Sequence, residues 1–136
     1  MKLNLNCIRD SLLCLEEHLL IENNDGDLEL ITVDMYELHE LLEGRYSLEE
    51  VAYTLLKTEE AGLITAAFNY ASDCLDEAVV CSITYNGHQF LEAIRPKTVW
   101  EKICSAISKI GIGSIHTVLE ISKALLPDLI ESALSH

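Results

Sequence analysis

Between Asp34 and Thr84 the chain changes its hydrophobic period from helical to strand-like, and this order constrains the fold more than any other feature. Asp34 stands three residues before Glu37, an N-cap and N3 pair that opens a short helix carrying Met35, Leu38, Leu41 and Leu42, and Gly44 ends it. Ser47-Leu48-Glu49-Glu50 repeats the pattern as a capping box, in which the Ser47 hydroxyl accepts the Glu50 amide and the Glu50 carboxylate returns to Ser47. The third helix then turns Val51, Leu55 and Leu56 inward, with Gly62 as its C′ residue. From there the period falls to two. Leu63–Phe68 and Ala78–Thr84 read as short strands joined by a polar segment with Asp73, Asp76 and Glu77.

Upstream, Leu5, Ile8, Leu12, Leu15 and Leu19 mark an amphipathic helix over about residues 5–21. Asn23–Asp27 is a turn cluster, and Leu28–Val33 has strand character. Downstream, Thr84 caps a helix in which Gly87 implies close backbone packing. Pro96 introduces a further helix, Lys97–Ile110, that buries Val99, Trp100, Ile103 and Ile107. Gly111-Ile112-Gly113 is a linker, and Ser114 caps a last helix bent or ended near Pro127. The expected fold is mainly α with a small antiparallel β wing: a winged helix-turn-helix followed by two or three C-terminal helices. Residues 1–93 form the winged-helix-like part and 94–136 an extension packed on it as one unit, a size compatible with a single core.

The formal charge is −14, unevenly spread. Residues 1–93 hold 19 acidic and 4 basic side chains, a balance of −15, whereas residues 94–136 hold 4 and 5, a balance of +1. Such a field repels a phosphate backbone, because nucleic-acid affinity comes largely from Lys and Arg. The five cysteines (Cys7, Cys14, Cys74, Cys81, Cys104) form no CxxC, and the chain opens on a polar run rather than a signal peptide, so buried reduced thiols in a cytoplasmic protein are expected. No uncharged stretch approaches the roughly 20 apolar residues of a membrane span.

His18, His39, His88, His116 and His136 are scattered, without the short paired spacing of a zinc site. No GxSxG, HExxH, P-loop or GxGxxG pattern occurs. No metal, cofactor or catalytic residue is therefore expected, and the protein is read as a non-enzyme.

The runs Met1-Lys2-Leu3-Asn4-Leu5-Asn6-Cys7-Ile8-Arg9-Asp10, Tyr46-Ser47-Leu48-Glu49-Glu50-Val51, Glu60-Ala61-Gly62-Leu63-Ile64 and Ile83-Thr84-Tyr85-Asn86-Gly87-His88-Gln89-Phe90-Leu91, with Val99-Trp100 after Ile94-Arg95, resemble a family catalogued as domain of unknown function 2513. That resemblance implies a winged-helix-like fold and a setting in bacteria, phages and prophages. It implies no activity and no site residues.

In a DNA-reading protein the third helix presents Arg, Lys, Asn, Gln or Ser to the major groove. Here the residues expected to be exposed are Glu49, Glu50, Thr54, Lys57, Thr58, Glu59 and Glu60. Glu49 and Glu50 also suit the helix N-terminus and its dipole, but Glu59 and Glu60 do not. The expected function is protein–protein interaction through an acidic surface, with Glu37, Glu40, Glu49, Glu50, Lys57, Glu59 and Glu60 as the contact residues. A basic nucleic-acid-binding protein is one candidate partner, engaged by mimicry of DNA. The alternative is a DNA-binding transcriptional regulator with Arg45, Lys57, Arg95, Lys97 and Lys102 on phosphates. Ile115, Val118, Leu119, Ile121, Leu125, Leu126, Leu129 and Ile130 cover more than one stripe, so a homodimer through the C-terminal helices is also expected.

Overall fold

The computed structural model of the chain describes residues 1–111 and 113–135. One carboxylate joins its first helix to its third. Asn4 caps α1 (Leu5–His18), accepting the Cys7 amide while its side-chain amide donates to Glu50 at 2.8 Å. Ser47 caps α3 (Leu48–Glu60), and both arms of the expected capping box form, the Glu50 carboxylate returning to the Ser47 amide. Between them, Asp34 accepts the amides of Tyr36 and Glu37 and starts α2 (Met35–Leu41). Caps of this kind are each worth about 1 kcal/mol, and here they also set one helix against another.

The strands β3 (Val33–Asp34), β4 (Ile64–Ala71) and β5 (Cys74–Ile83) form an antiparallel sheet in the order β3-β5-β4. Ile64, Ala78, Val80 and Ile83 turn inward, and a register shift between Thr65 and Ala66 lets both Val80 and Ile83 reach the core. Thr84 caps α4 (Tyr85–Ile94), and its hydroxyl donates to the Gly62 carbonyl at 2.6 Å. Gly87 then passes so near Leu63 that an added Cβ would lie 2.0 Å from that carbonyl oxygen, which accounts for a glycine at this point. After Pro96 come α5 (Lys97–Ile110) and α6 (Ile115–Leu134). Trp100 donates to Asn6 at 2.9 Å, and Arg9 reaches the carbonyls of Ile94 and Arg95. Trp100, Ile103 and Val118 therefore share one core with Ile8, Leu12, Leu55 and Phe90.

Several expectations need correction. The first helix ends at His18, not near 21, because Leu20–Asn24 leaves it as β1 and pairs with β2 (Asp27–Ile31). Asp25 and Gly26 both take positive φ in the connecting turn, the conformation that matches strand twist in tight hairpins. The single strand expected over Leu28–Val33 is split at Thr32 between β2 and β3. The segment expected to be a polar connection is mostly strand, since β4 and β5 extend to Ala71 and Cys74.

On α3, Thr54 and Thr58 are buried rather than exposed, and Leu56 is only half-buried. The buried stripe runs Val51, Thr54, Leu55, Thr58, and the Thr58 hydroxyl is satisfied by the Thr54 carbonyl at 2.8 Å. Cys74 is exposed, unlike Cys7. Helix α6 does not end at Pro127 but runs on to Leu134. Ile112 of the expected linker, and His136, lie outside the described residues.

Candidate protein-interaction surface

The seven expected contact residues fall into separate places. Glu37 and Glu40, a turn apart on α2, are exposed and line a cleft of about 350 Å³ with His18, Ile31, Thr32 and Val33. No α3 residue lines this cleft. On α3, Glu49 and Glu60 are exposed, while Lys57 and Glu59 are half-buried. Glu50 is tied into the two helix caps, and those hydrogen bonds, the Asn4 amide first, hold its carboxyl below the usual carboxylate range. It is an anchor between helices more than a free contact group. Lys57 sits 3.0 Å from Glu60 and 5.4 Å from the centre of the Tyr53 ring. Asp73, Asp76 and Glu77 at the β4–β5 hairpin end are all exposed.

The cations proposed for phosphate contact are mostly engaged within the chain. Arg45 pairs with Asp10 at 3.1 Å and donates to the Leu42 carbonyl. Arg95 makes a two-pronged pair with Glu16, at 2.8 and 2.6 Å, and also meets Glu92 at 2.8 Å. That guanidinium holds the Glu16 carboxyl below its ordinary range. Lys97 and Lys102 on α5 are exposed and have no ion pair among the described residues.

An apolar element that the sequence pattern concealed reaches the acidic cleft only through Ile31, its exposed aliphatic face bordering a separate groove with Glu16, Ser82 and His88. In the β1–β2 hairpin, Ile21 pairs with Leu30 and Asn23 with Leu28, so these four side chains share one face. Ile21 is 66% exposed, Leu28 71% and Leu30 66%. The opposite face carries Leu20, Ile31, Glu22, Glu29, Asn24 and Asp27. The hairpin thus offers aliphatic side chains with carboxylates close behind them. Clustered exposed aliphatics of this kind mark contact surfaces more than stray surface residues do. The Asn23–Asp27 turn was visible in the sequence. Its strand was not, because Leu19, Leu20 and Ile21 continue the apolar pattern of α1.

Burial pushes the thiols of Cys7, Cys14 and Cys104 up, away from the thiolate form that a nucleophile or metal ligand needs. Among the described residues no three His, Cys, Asp or Glu side chains group as a metal site, and no helix is long and apolar enough to cross a membrane.

No curated protein and no solved structure matches the chain. A family model described as "Hypothetical protein (DUF2513)" matches residues 2–113, from the lead into α1 to just beyond α5, and leaves α6 outside the match. With that model covering most of its length, from the paired helix caps to the Trp100 helix, the chain belongs to the DUF2513 family.

Proposed function

We propose that the chain is a non-enzymatic accessory or regulatory protein of the phage or prophage type, built as a winged helix and acting in the cytoplasm by binding another protein through its acidic surface. The order β3-α2-α3-β4-β5 with sheet order β3-β5-β4 supports the winged-helix assignment. One observation carries the functional reading. The helix in the groove-reading position presents Glu49, Glu59 and Glu60, and its one cation, Lys57, is matched to Glu60. Carboxylates in that place repel phosphate and attract Lys and Arg. A basic partner is favoured, including one whose own groove takes nucleic acid. The aliphatic face of β1–β2 supplies the desolvated anchor that charged rims alone do not provide.

Affinity capture from infected or prophage-carrying cells tests this. The double substitution Glu59→Lys and Glu60→Lys should abolish recovery of the partner while the thermal midpoint stays close to that of the parent chain. Undiminished capture by a folded double variant refutes the assignment of α3.

A second reading, a DNA-binding transcriptional regulator, draws on exposed Lys97 and Lys102, with Arg45, Lys57 and Arg95 on phosphates once their ion pairs open. It requires duplex binding whose affinity falls linearly against log salt. No mobility shift is expected even at low salt, and a salt-sensitive shift lost in Lys97→Glu with Lys102→Glu would establish it instead.

A further inference from the structure

We infer that two copies of this chain associate about a two-fold axis through the second half of α6. This surface is distinct from the acidic one. The first half of α6 is held by its own fold: Ile115, Val118 and Ser122 are buried, and Leu119, Ile121 and Leu125 partly so. From Leu126 to Ser135 every residue is exposed. Leu126 is 50% exposed, Ile130 50% and Leu134 83%, and their spacing of four puts them in one stripe. Pro127 also removes a helix hydrogen bond at the start of this half. A short helical run with an interior proline and no tertiary burial is marginal alone, since helices draw most of their stability from packing an apolar face.

Charge decides what covers the stripe. It adjoins a groove of about 430 Å³ between α4 and α6, whose lining includes Leu63, Phe90, Leu119, Leu126 and Leu129. Among the described residues Lys123 is the only charged one lining that groove, whereas the clefts at α1, α2 and the β1–β2 hairpin each contain a carboxylate. The groove lining itself offers a basic partner no carboxylate, and Asp128 and Glu131 of this half of α6 lie outside that lining. A second copy does fit, because residues 94–136 carry a balance of +1 while residues 1–93 carry −15. Contact through α6 joins the chains at the end where self-repulsion is weakest and keeps the acidic parts apart. Knob and groove lie side by side on one surface, as a self-complementary two-fold contact requires. An antiparallel arrangement also sets the Lys123 half of one helix beside the Asp128 and Glu131 half of its partner.

Sedimentation equilibrium on the full chain across the micromolar range tests the inference. The parent should show twice the chain mass. Leu126→Asp with Ile130→Asp should weaken association by about tenfold or more, and Leu134→Asp, at the most exposed of these positions, should act in the same direction. Circular dichroism should show both variants folded. Glu59→Lys with Glu60→Lys should not loosen the dimer. A monomeric parent or a dimer indifferent to the α6 substitutions would each overturn the inference.

Discussion

Two antiparallel hairpins in this molecule have similar chemistry and opposite fates. In β4–β5, Ile64 and Val80 are each 2% exposed, and Ala78 is fully buried. In β1–β2 no side chain is fully buried, although Ile21, Leu28 and Leu30 are as apolar as their counterparts. The difference lies in what stands beneath the strands. The β4–β5 sheet lies over α3 and α4, whereas Ile21 and Leu30 of β1–β2 border an open groove with Glu16, Ser82 and His88 and stay largely exposed. A lone two-stranded hairpin is marginally stable in water, so β1–β2 depends on its covalent link to α1 and β3.

The largest expected contrast is between two truncations. Ile64→Ala should cost about 2–5 kcal/mol, the range for a buried aliphatic that leaves a cavity. Leu30→Ala should stay within about 0.5 kcal/mol, as surface changes do. Urea denaturation of both variants checks this, and similar losses would mean that β1–β2 contributes to the core after all.

Gly87→Ala sharpens the comparison from the other side. Its Cβ would meet the Leu63 carbonyl that leads into β4, so a loss of roughly 2–3 kcal/mol is expected from overpacking. Retained stability would show that α4 can retreat from the hairpin.

The smallest effect is a pH dependence beside β1–β2, where Glu16 shares a groove with Ile21 and Leu30. Arg95 lowers the folded-state pKa of Glu16, so its stabilising contribution is fully present above the ordinary carboxylate value of about 4.5. It declines as pH falls through the lowered value. Glu16→Gln should therefore be less stable than the parent at neutral pH, and the gap should close on acidification. Solvent exposure of the pair keeps the difference modest. A gap that stays constant down to low pH would mean that the ion pair contributes nothing.

Much of the helical scaffold could be seen in the residues. Asp34, Ser47, Thr84 and Ser114 each cap the helix expected of them, because a cap is decided within about four residues. Strand β1 was hidden for the opposite reason: Leu20 and Ile21 extend the spacing of α1, and only pairing with β2 takes them out of it. Thr54 and Thr58 misled for a related cause. A polar residue reads as surface until the fold buries it, and the Thr58 hydroxyl is satisfied there by the Thr54 carbonyl four residues back. At the candidate surface, residue type was legible and grouping was not. Glu37 and Glu40 come together because one helix carries both, while Glu50 is drawn to Asn4 across 46 positions of sequence.

The sequence alone determined the helix starts, the capping box, the close approach at Gly87, the family and the separation of acidic from neutral charge. Most of these depend on near neighbours or on composition, and Gly87 signals a close approach without naming its partner, Leu63. Tertiary structure decided which apolar residues stay in water, which cations are matched and which carboxylate becomes a strut. Those outcomes depend on which distant groups arrive within a few ångströms of one another, and local spacing carries no record of that.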